Sequence, residues 1–217
     1  MAALSISHPV LILCQFSDSP TYPRTLNKLQ AINPAQILIP GFGQEGPSGS
    51  KLYDDLDINL PLADIVNVQR KYFSESKGLH AIKSVCAPEF SSVELQFHNK
   101  FYCLAAASSL LKYLEYSENV IFMPKSLKVE YQVSGNSTII DPETAEHIEL
   151  INCLVKRKNH LSLFNLMNKC STAGGTRLLR ANLFQPSIDK ILITKRLDSV
   201  EELINSPDLQ ATLKLFF

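Results

Sequence analysis

The feature that most constrains the fold is a change of pattern along the chain. Residues 10–16, 37–39 and 65–68 are short apolar runs, typical of strands covered on both faces. Two segments near them, 22–32 and 74–86, carry apolar residues at helical spacing. Strands that alternate with helices predict a mixed or parallel α/β sheet.

The second half of the chain has a different pattern, dominated by helical sequence. Residues 101–116 form a helical stripe rich in Ala and Leu, whereas 127–133 alternate between polar and apolar residues and 134–137 favour a hairpin turn into 138–140. Asp141 then predicts a helix start, because its carboxylate can cap free amides and the following proline needs no amide partner. From there to Phe217 nearly the whole sequence predicts helix.

These patterns predict two domains, an α/β domain at residues 1–95 and a mainly α-helical domain at 96–217. A chain of 217 residues has room for both and for a hydrophobic core. Apolar residues make up 45% and charged residues 19%, which is typical of a folded protein. No apolar run approaches the ~20 residues that a membrane span requires, and no basic leader begins the chain, so neither membrane insertion nor secretion is expected.

The cysteines and histidines predict neither disulfides nor a metal site. The five cysteines are an odd number and include no Cys-x-x-Cys pair, and the five histidines are equally dispersed. Free thiols in a reducing compartment are therefore the better interpretation. The cysteines are Cys14, Cys86, Cys103, Cys153 and Cys170.

Three segments superficially suggest ligand chemistry, and none is predicted to be catalytic or to bind a cofactor or metal. Residues 41–46 fit Gly-x-Gly-x-x-Gly after a strand, but Pro47 and the residues after it do not open a helix, so a surface loop is favoured. Residues 54–57 are acidic without a histidine or further acid at ligand spacing, which favours a solvated turn. Residues 172–177 lack the Gly-Lys-Ser/Thr ending of a phosphate loop, which occurs nowhere in the chain.

A local excess of positive charge is the remaining candidate for function. The formal net charge of the chain is zero, yet residues 156–196 contain nine basic residues against one acid, so nine minus one gives +8. Lys and Arg neutralise backbone phosphates without reading sequence. The candidate DNA contacts are Lys156, Arg157, Lys158 and Arg180. A solvated or intramolecular role for each of these residues remains open.

The second half also carries a family motif. Thr-x-x-Gly-x-Arg-Leu-Leu-Arg at 172–180, Gln-Pro at 185–186 and Arg-Leu-Asp-x-Val-x-x-Leu at 196–203 resemble the start of the helical core of MutS-type DNA clamps. Residues 140–150 resemble the core signature Leu-Asp-x-x-Thr-x-x-Asn-Leu-Glu-Leu, with Ile140 and His147 as departures. The positions taken as the structural family motif are Asp141, Thr144, Thr172, Gly175, Arg177, Pro186, Arg196 and Asp198.

The resemblance also covers the first half. Residues 68–79 and 101–107 resemble the meiotic, fourth branch of eukaryotic MutS homologues. It implies a connector domain of ribonuclease-H-like α/β fold at 1–95, followed by the first part of the mainly α-helical MutS core at 96–217. The family's clamp and its ATPase, with ATP and Mg²⁺, would lie outside these residues. The chain is therefore expected to be a fragment, truncated gene model or short isoform that is not an enzyme and holds no cofactor.

The resemblance further implies a function and partners. It predicts a structural, DNA-associated segment of a nuclear clamp for meiotic recombination junctions or mismatched DNA, in a heterodimer with the fifth MutS homologue. The alternative is a protein-interaction module for that homologue or for MutL-type partners. Arg177 and Arg196 are expected to be structural, and the predicted helical core is Leu178, Leu179, Leu183, Ile193, Leu197, Val200 and Leu203.

Overall fold

A computed structural model describes residues 1–6, 9–41, 50–133, 137–154 and 161–216. The strands in these ranges are β1 (Ala2–Ser5), β2 (Val10–Leu13), β3 (Gln36–Gly41), β4 (Asp64–Gln69) and β5 (Lys128–Tyr131). The helices of the first two thirds are α1 (Pro23–Ile32), α2 (Lys51–Asn59), α3 (Glu75–Val85), α4 (Glu94–Phe97) and α5 (Phe101–Ser117). The later helices are α6 (Pro142–His147), α7 (Leu163–Met167), α8 (Ala173–Phe184), α9 (Lys190–Asn205) and α10 (Pro207–Phe216).

The first of two compact units contains all of these strands. It comprises Met1–Ser17, Ala35–Asp57 and Leu62–Ser134. In one sheet β2 lies between an antiparallel β1 and a parallel β5, and in another β3 and β4 pair in parallel. The predicted strands and the mixed α/β class are confirmed, because the apolar runs at β2, β3 and β4 supply the buried faces.

The core of this unit lies between the β1–β2–β5 sheet and two helices. Leu11 and Leu13 of β2 are completely buried, as is Val129 of β5, and they cluster with Ile82 of α3 and Leu104 of α5. Helices α3 and α5 approach each other most closely at Gly78, where a Cβ atom would lie 2.0 Å from the carbonyl oxygen of Leu104. Only glycine therefore permits this backbone-to-backbone contact.

The second unit is mainly helical. It comprises Asp18–Pro34, Ile58–Pro61 and Gly135–Phe217, and α1 packs against α8 within it. Its buried cluster includes Ala31 of α1, Ala145 of α6 and Phe184 of α8. Helix α1 thus joins the later helices although it lies early in the sequence, and no local pattern predicts this long-range pairing.

The predicted boundary between residues 95 and 96 does not coincide with the division into units. The stripe of α5 packs against α3, and β5 pairs with β2, so the first unit continues to Ser134. The change to helix-rich sequence at Phe101 marks another helix of the α/β unit, because its apolar side faces α3. The assignment of the two parts to a connector and a core stays a prediction.

The predicted helical core is wrong for several residues of α8 and α9. Leu178 is 57% exposed and Leu197 is 63% exposed, Ile193 and Val200 are also exposed, and α9 contains no buried residue. The reason is that α9 has extensive contacts only with α10, so its apolar side chains lack a covering element. Partial burial is found for Leu179, Leu183 and Leu203.

Two further expectations concern topology and membranes. Ser137 forms an isolated bridge with Ser187, and Thr138 to Ile140 form no strand, so the predicted hairpin strand is wrong in the part that is described. The ribonuclease-H-like fold stays a prediction, since the described strands form two separately hydrogen-bonded sheets. Across the described ranges, no helix combines the length and apolarity needed to cross a bilayer.

Candidate functional site

Asp141 and Thr144 of the family motif form the start of α6. The Thr144 amide donates to Asp141 Oδ2 at 3.0 Å, and Thr144 Oγ1 donates to Oδ1 at 2.8 Å. The bond from the Thr144 amide, followed by that from its hydroxyl, lowers the pKa of Asp141 below its ordinary value. The carboxylate is therefore used as a helix cap.

Thr172 and Gly175 play the corresponding role at α8. The Gly175 amide donates to Thr172 Oγ1 at 3.0 Å, and Thr176 Oγ1 donates to the Thr172 carbonyl at 3.1 Å. A Cβ on Gly175 would lie only 3.1 Å from Thr172 Oγ1. The Thr-x-x-Gly spacing is thus explained by a compact N-cap, and the predicted absence of a phosphate loop agrees with this use of the Gly175 amide.

Arg180 combines polar and aromatic contacts inside the second unit. Its Nε donates to the Gln30 carbonyl at 3.3 Å, and its guanidinium carbon lies 5.4 Å from the centre of the Phe184 ring. Burial lowers the pKa of this guanidinium. These contacts favour the intramolecular alternative for Arg180, while phosphate contact by this residue stays a prediction.

The remaining motif residues differ in how firmly they are held. The Pro186 carbonyl accepts from the Thr138 amide at 2.8 Å, and Arg196 Nη1 donates to Asn182 Oδ1 at 3.2 Å. Arg177 and Asp198 are exposed, and neither forms a hydrogen bond or ion pair with any residue that the structure describes. The structure therefore supplies a local structural contact for Arg196 but none for Arg177.

The basic stretch is only partly described. Lys156, Arg157 and Lys158 lie outside the described residues, as does most of the glycine-rich segment at 42–49. The described lysines of the stretch are all exposed, and they are Lys169, Lys190 and Lys195. Asp189, the single acid of the stretch, caps α9 by accepting from the Ile191 and Leu192 amides, so its charge lies at the helix start.

Asn27 is a structural residue that no motif predicts. It is 2% exposed, and its Nδ2 donates to the Phe184 carbonyl at 2.9 Å and the Ile140 carbonyl at 3.0 Å. Its Oδ1 accepts from Gln185 Nε2 at 2.9 Å. Asn27 therefore joins α1 to the end of α8 and to the segment before α6, which places the two halves of the family motif together.

No metal site is found in the described part of the chain, where no three His, Cys, Asp or Glu side chains are grouped to hold an ion. The acidic residues predicted to form a solvated turn instead lie in α2, at Asp54, Asp55 and Asp57. That turn prediction is wrong in secondary structure, because Ser50 accepts the amides of the first helical turn through its carbonyl.

Comparisons with known proteins match most of the chain. The family model described as MutS domain III matches residues 143–216. MutS protein homolog 4 of Mus musculus is 40% identical over 210 residues, covering 96% of this chain and 22% of the mouse protein. MutS protein homolog 4 of Saccharomyces cerevisiae is 31% identical over 94% of this chain and 24% of its own length. The DNA mismatch repair protein MutS of Clostridium kluyveri is 27% identical over 87% of this chain and 21% of its own length. The chain thus spans about a quarter or less of these relatives.

Proposed function

Because this chain belongs to the MutS family, we propose that it is a structural, DNA-associated segment of a clamp for meiotic recombination junctions or mismatched DNA. Its first unit would be a ribonuclease-H-like connector, and its second the first part of the core. The observation that carries the proposal is the use of the family motif. Asp141 and Thr172 cap helices, and the Pro186 carbonyl joins two segments, so the motif maintains packing.

A relay role follows from this packing. Signals between distant parts of a clamp require elements that move as rigid bodies. The buried Asn27 amide and the stacked Arg180 hold α1 against α8 through hydrogen bonds as well as apolar contact. The second unit would therefore transmit displacement along α8, without a reactive side chain of its own.

DNA association would come from the exposed lysines of the basic stretch. Lys169, Lys190 and Lys195 are exposed and form no ion pair among the described residues, so they can release counterions from phosphates. Lys156, Arg157 and Lys158 belong to the same proposal by sequence alone. Arg180 is a weaker candidate, because its guanidinium already contacts Gln30 and Phe184.

We assign no catalysis, metal or cofactor to the chain itself. The Gly-Lys-Ser/Thr sequence that would bind ATP phosphates and Mg²⁺ does not occur in the 217 residues. ATP, Mg²⁺, the fifth MutS homologue, a MutL-type partner and branched or mismatched DNA belong to the proposal for the whole clamp, which would act in the nucleus.

The test is a chimera of the mouse relative, in which this chain replaces the matching segment, purified with a fifth-homologue partner. Binding to a four-way DNA junction is measured against salt concentration. Replacing Lys169, Lys190 and Lys195 by Ala should weaken binding and reduce the slope of log affinity against log salt by about 2. A matched triple variant at Lys51, Lys71 and Lys125, which are exposed in the first unit, should retain both. Equal losses in the two variants, or no loss in either, would contradict the proposal.

The second candidate function is a protein-interaction module for the fifth homologue or a MutL-type protein. The exposed apolar side chains of α9 favour it, because such residues in one helix commonly meet another surface. Replacing Leu197 and Val200 by Ser should reduce co-purification of a partner with the chimera while junction binding by any retained complex is unchanged. Full co-purification by this variant would exclude α9 as the docking element.

A further inference from the structure

A cleft of about 490 Å³ lies on the first unit between α3 and α5. One turn after another of the two helices lines it, through residues 76–85 of α3 and 108–115 of α5, and residues 120–122 contribute a third side. The volume falls within the range of ~300–1,000 Å³ that is usual for ligand-binding clefts. None of the residues of the family motif lines this cleft.

The charge in the cleft is incompletely balanced. Lys112 is paired with Glu115, whose Oε2 lies 2.6 Å from Lys112 Nζ. Lys77 is exposed and forms no ion pair with any residue in the described part of the chain. Glu115 is the only carboxylate among the lining residues and Lys112 neutralises it, so Lys77 leaves an uncompensated positive charge at the cleft.

Apolar side chains adjoin this charge. Leu111 and Phe122 are partly buried, whereas Ile121 is 77% exposed although it lies beside the cleft. A ligand that covered Ile121 would remove apolar surface from water, which favours association. The cleft therefore offers one cation and an adjacent apolar wall.

The dimensions suit a short length of polypeptide. Residues 76–84 of α3 extend for about 12 Å at ~1.5 Å per residue, which three or four extended residues would span at ~3.3 Å each. We propose that the cleft binds a short segment of a partner protein, whose carboxylate pairs with Lys77 and whose aliphatic or aromatic side chains cover Leu111 and Ile121. This site goes beyond the proposed function, since the proposed DNA contacts lie in the second unit.

The test begins with a random dodecapeptide phage library, selected on the purified 217-residue chain. The most enriched peptide is then synthesised with a fluorophore and titrated by fluorescence anisotropy. Enriched peptides should combine Asp or Glu with Leu, Ile or Phe. Lys77→Glu should weaken binding at least about tenfold by charge reversal, whereas Lys51→Glu, at an exposed lysine of the same unit away from the cleft, should not.

A second pair of variants tests location without changing charge. Ser84 is exposed and lines the cleft, so Ser84→Tyr should obstruct it and weaken binding to a similar extent. Ser92 is exposed and does not line the cleft, so Ser92→Tyr is the matched control. Circular dichroism checks folding, and Lys77→Gln replaces Lys77→Glu if the latter unfolds. Failure to enrich any peptide, enrichment of basic peptides, equal effects of cleft and control variants, or displacement by a single-stranded oligonucleotide would overturn the proposal.

Discussion

At the scale of single residues, Gly78 is the position where one added methyl group has the clearest consequence. A Cβ would lie 2.0 Å from the Leu104 carbonyl oxygen and 2.8 Å from its carbonyl carbon, and neither backbone atom can move without shifting α5. We expect Gly78→Ala to destabilise the first unit by about 3 kcal/mol, measured by urea unfolding. Gly174→Ala is the control, because nothing lies within 4 Å of its Cβ; it should be neutral or stabilise by about 0.5–1 kcal/mol.

Asn27 gives a second prediction at this scale, based on hydrogen-bond direction. Asn27→Asp keeps the shape but replaces a donor by an acceptor facing the carbonyls of Ile140 and Phe184. We expect a loss of about 2–3 kcal/mol at neutral pH. The folded state would hold a proton on this carboxyl more tightly than the unfolded state, so stability should partly recover as pH falls.

Urea unfolding at pH 7 and pH 5 measures both effects of Asn27→Asp. Asn27→Gln serves as the comparison, since it retains the amide but displaces it by one methylene. A variant Asn27→Asp as stable as the original protein at pH 7 would show that the amide bonds are not needed to hold α1 against α8.

At the scale of elements, α8 depends on its N-cap. Thr172→Ala removes the acceptor of the Gly175 amide, and we expect it to cost about 1 kcal/mol in unfolding of the second unit. Thr172→Ser retains the hydroxyl and should restore most of the loss. Thermal unfolding followed by circular dichroism compares the three proteins, and equal losses for Ala and Ser would exclude capping as the role of this threonine.

Helix α9 should be the least protected long helix of the isolated chain. It contains no buried residue, whereas α5 includes the buried Cys103, Leu104 and Ala107. Local opening is easier where few apolar contacts are lost, so α9 amides should exchange with deuterium about tenfold faster or more than those of α5. Mass spectrometry of peptic peptides measures this, and equal protection would mean that α9 is covered in solution.

The elements also show where sequence patterns succeed and fail. The short apolar runs and helical stripes correctly predicted β2, β3, β4, α1, α3 and α5, because each pattern reflects one buried face. They missed β1, whose four residues contain only two large apolar or β-propagating side-chain positions at most, and they placed α5 in the wrong unit. Periodicity identifies a face that will be buried, but it does not identify the element that covers it.

At the scale of the whole molecule, alkaline pH should destabilise the chain through the first unit. Burial raises the pKa of Cys86, Cys103 and Tyr131 above their ordinary values. The unfolded state loses these protons first, so the stabilisation is complete below the ordinary pKa values and is lost as pH rises from about 8.5 toward and above 10.

Urea unfolding midpoints at pH 7, 8.5 and 9.5 measure this loss, with Cys86→Ala as a comparison that should flatten the decline. The contrary result is a midpoint that rises over the same interval. The second unit provides an internal reference, because Cys170 is exposed and no raised thiol pKa is assigned there among the described residues.

The sequence by itself determined the family motif, the mixed α/β class, most element positions and the local excess of positive charge. These features depend on residue identity and on contacts between near neighbours, as with the caps at Asp141 and Thr172. Tertiary structure alone decided that α1 joins the later helices through Asn27, that α5 belongs with α3, and that the apolar side chains of α9 remain exposed. The physical reason is that these outcomes depend on packing between residues far apart in the chain, which a local pattern does not record.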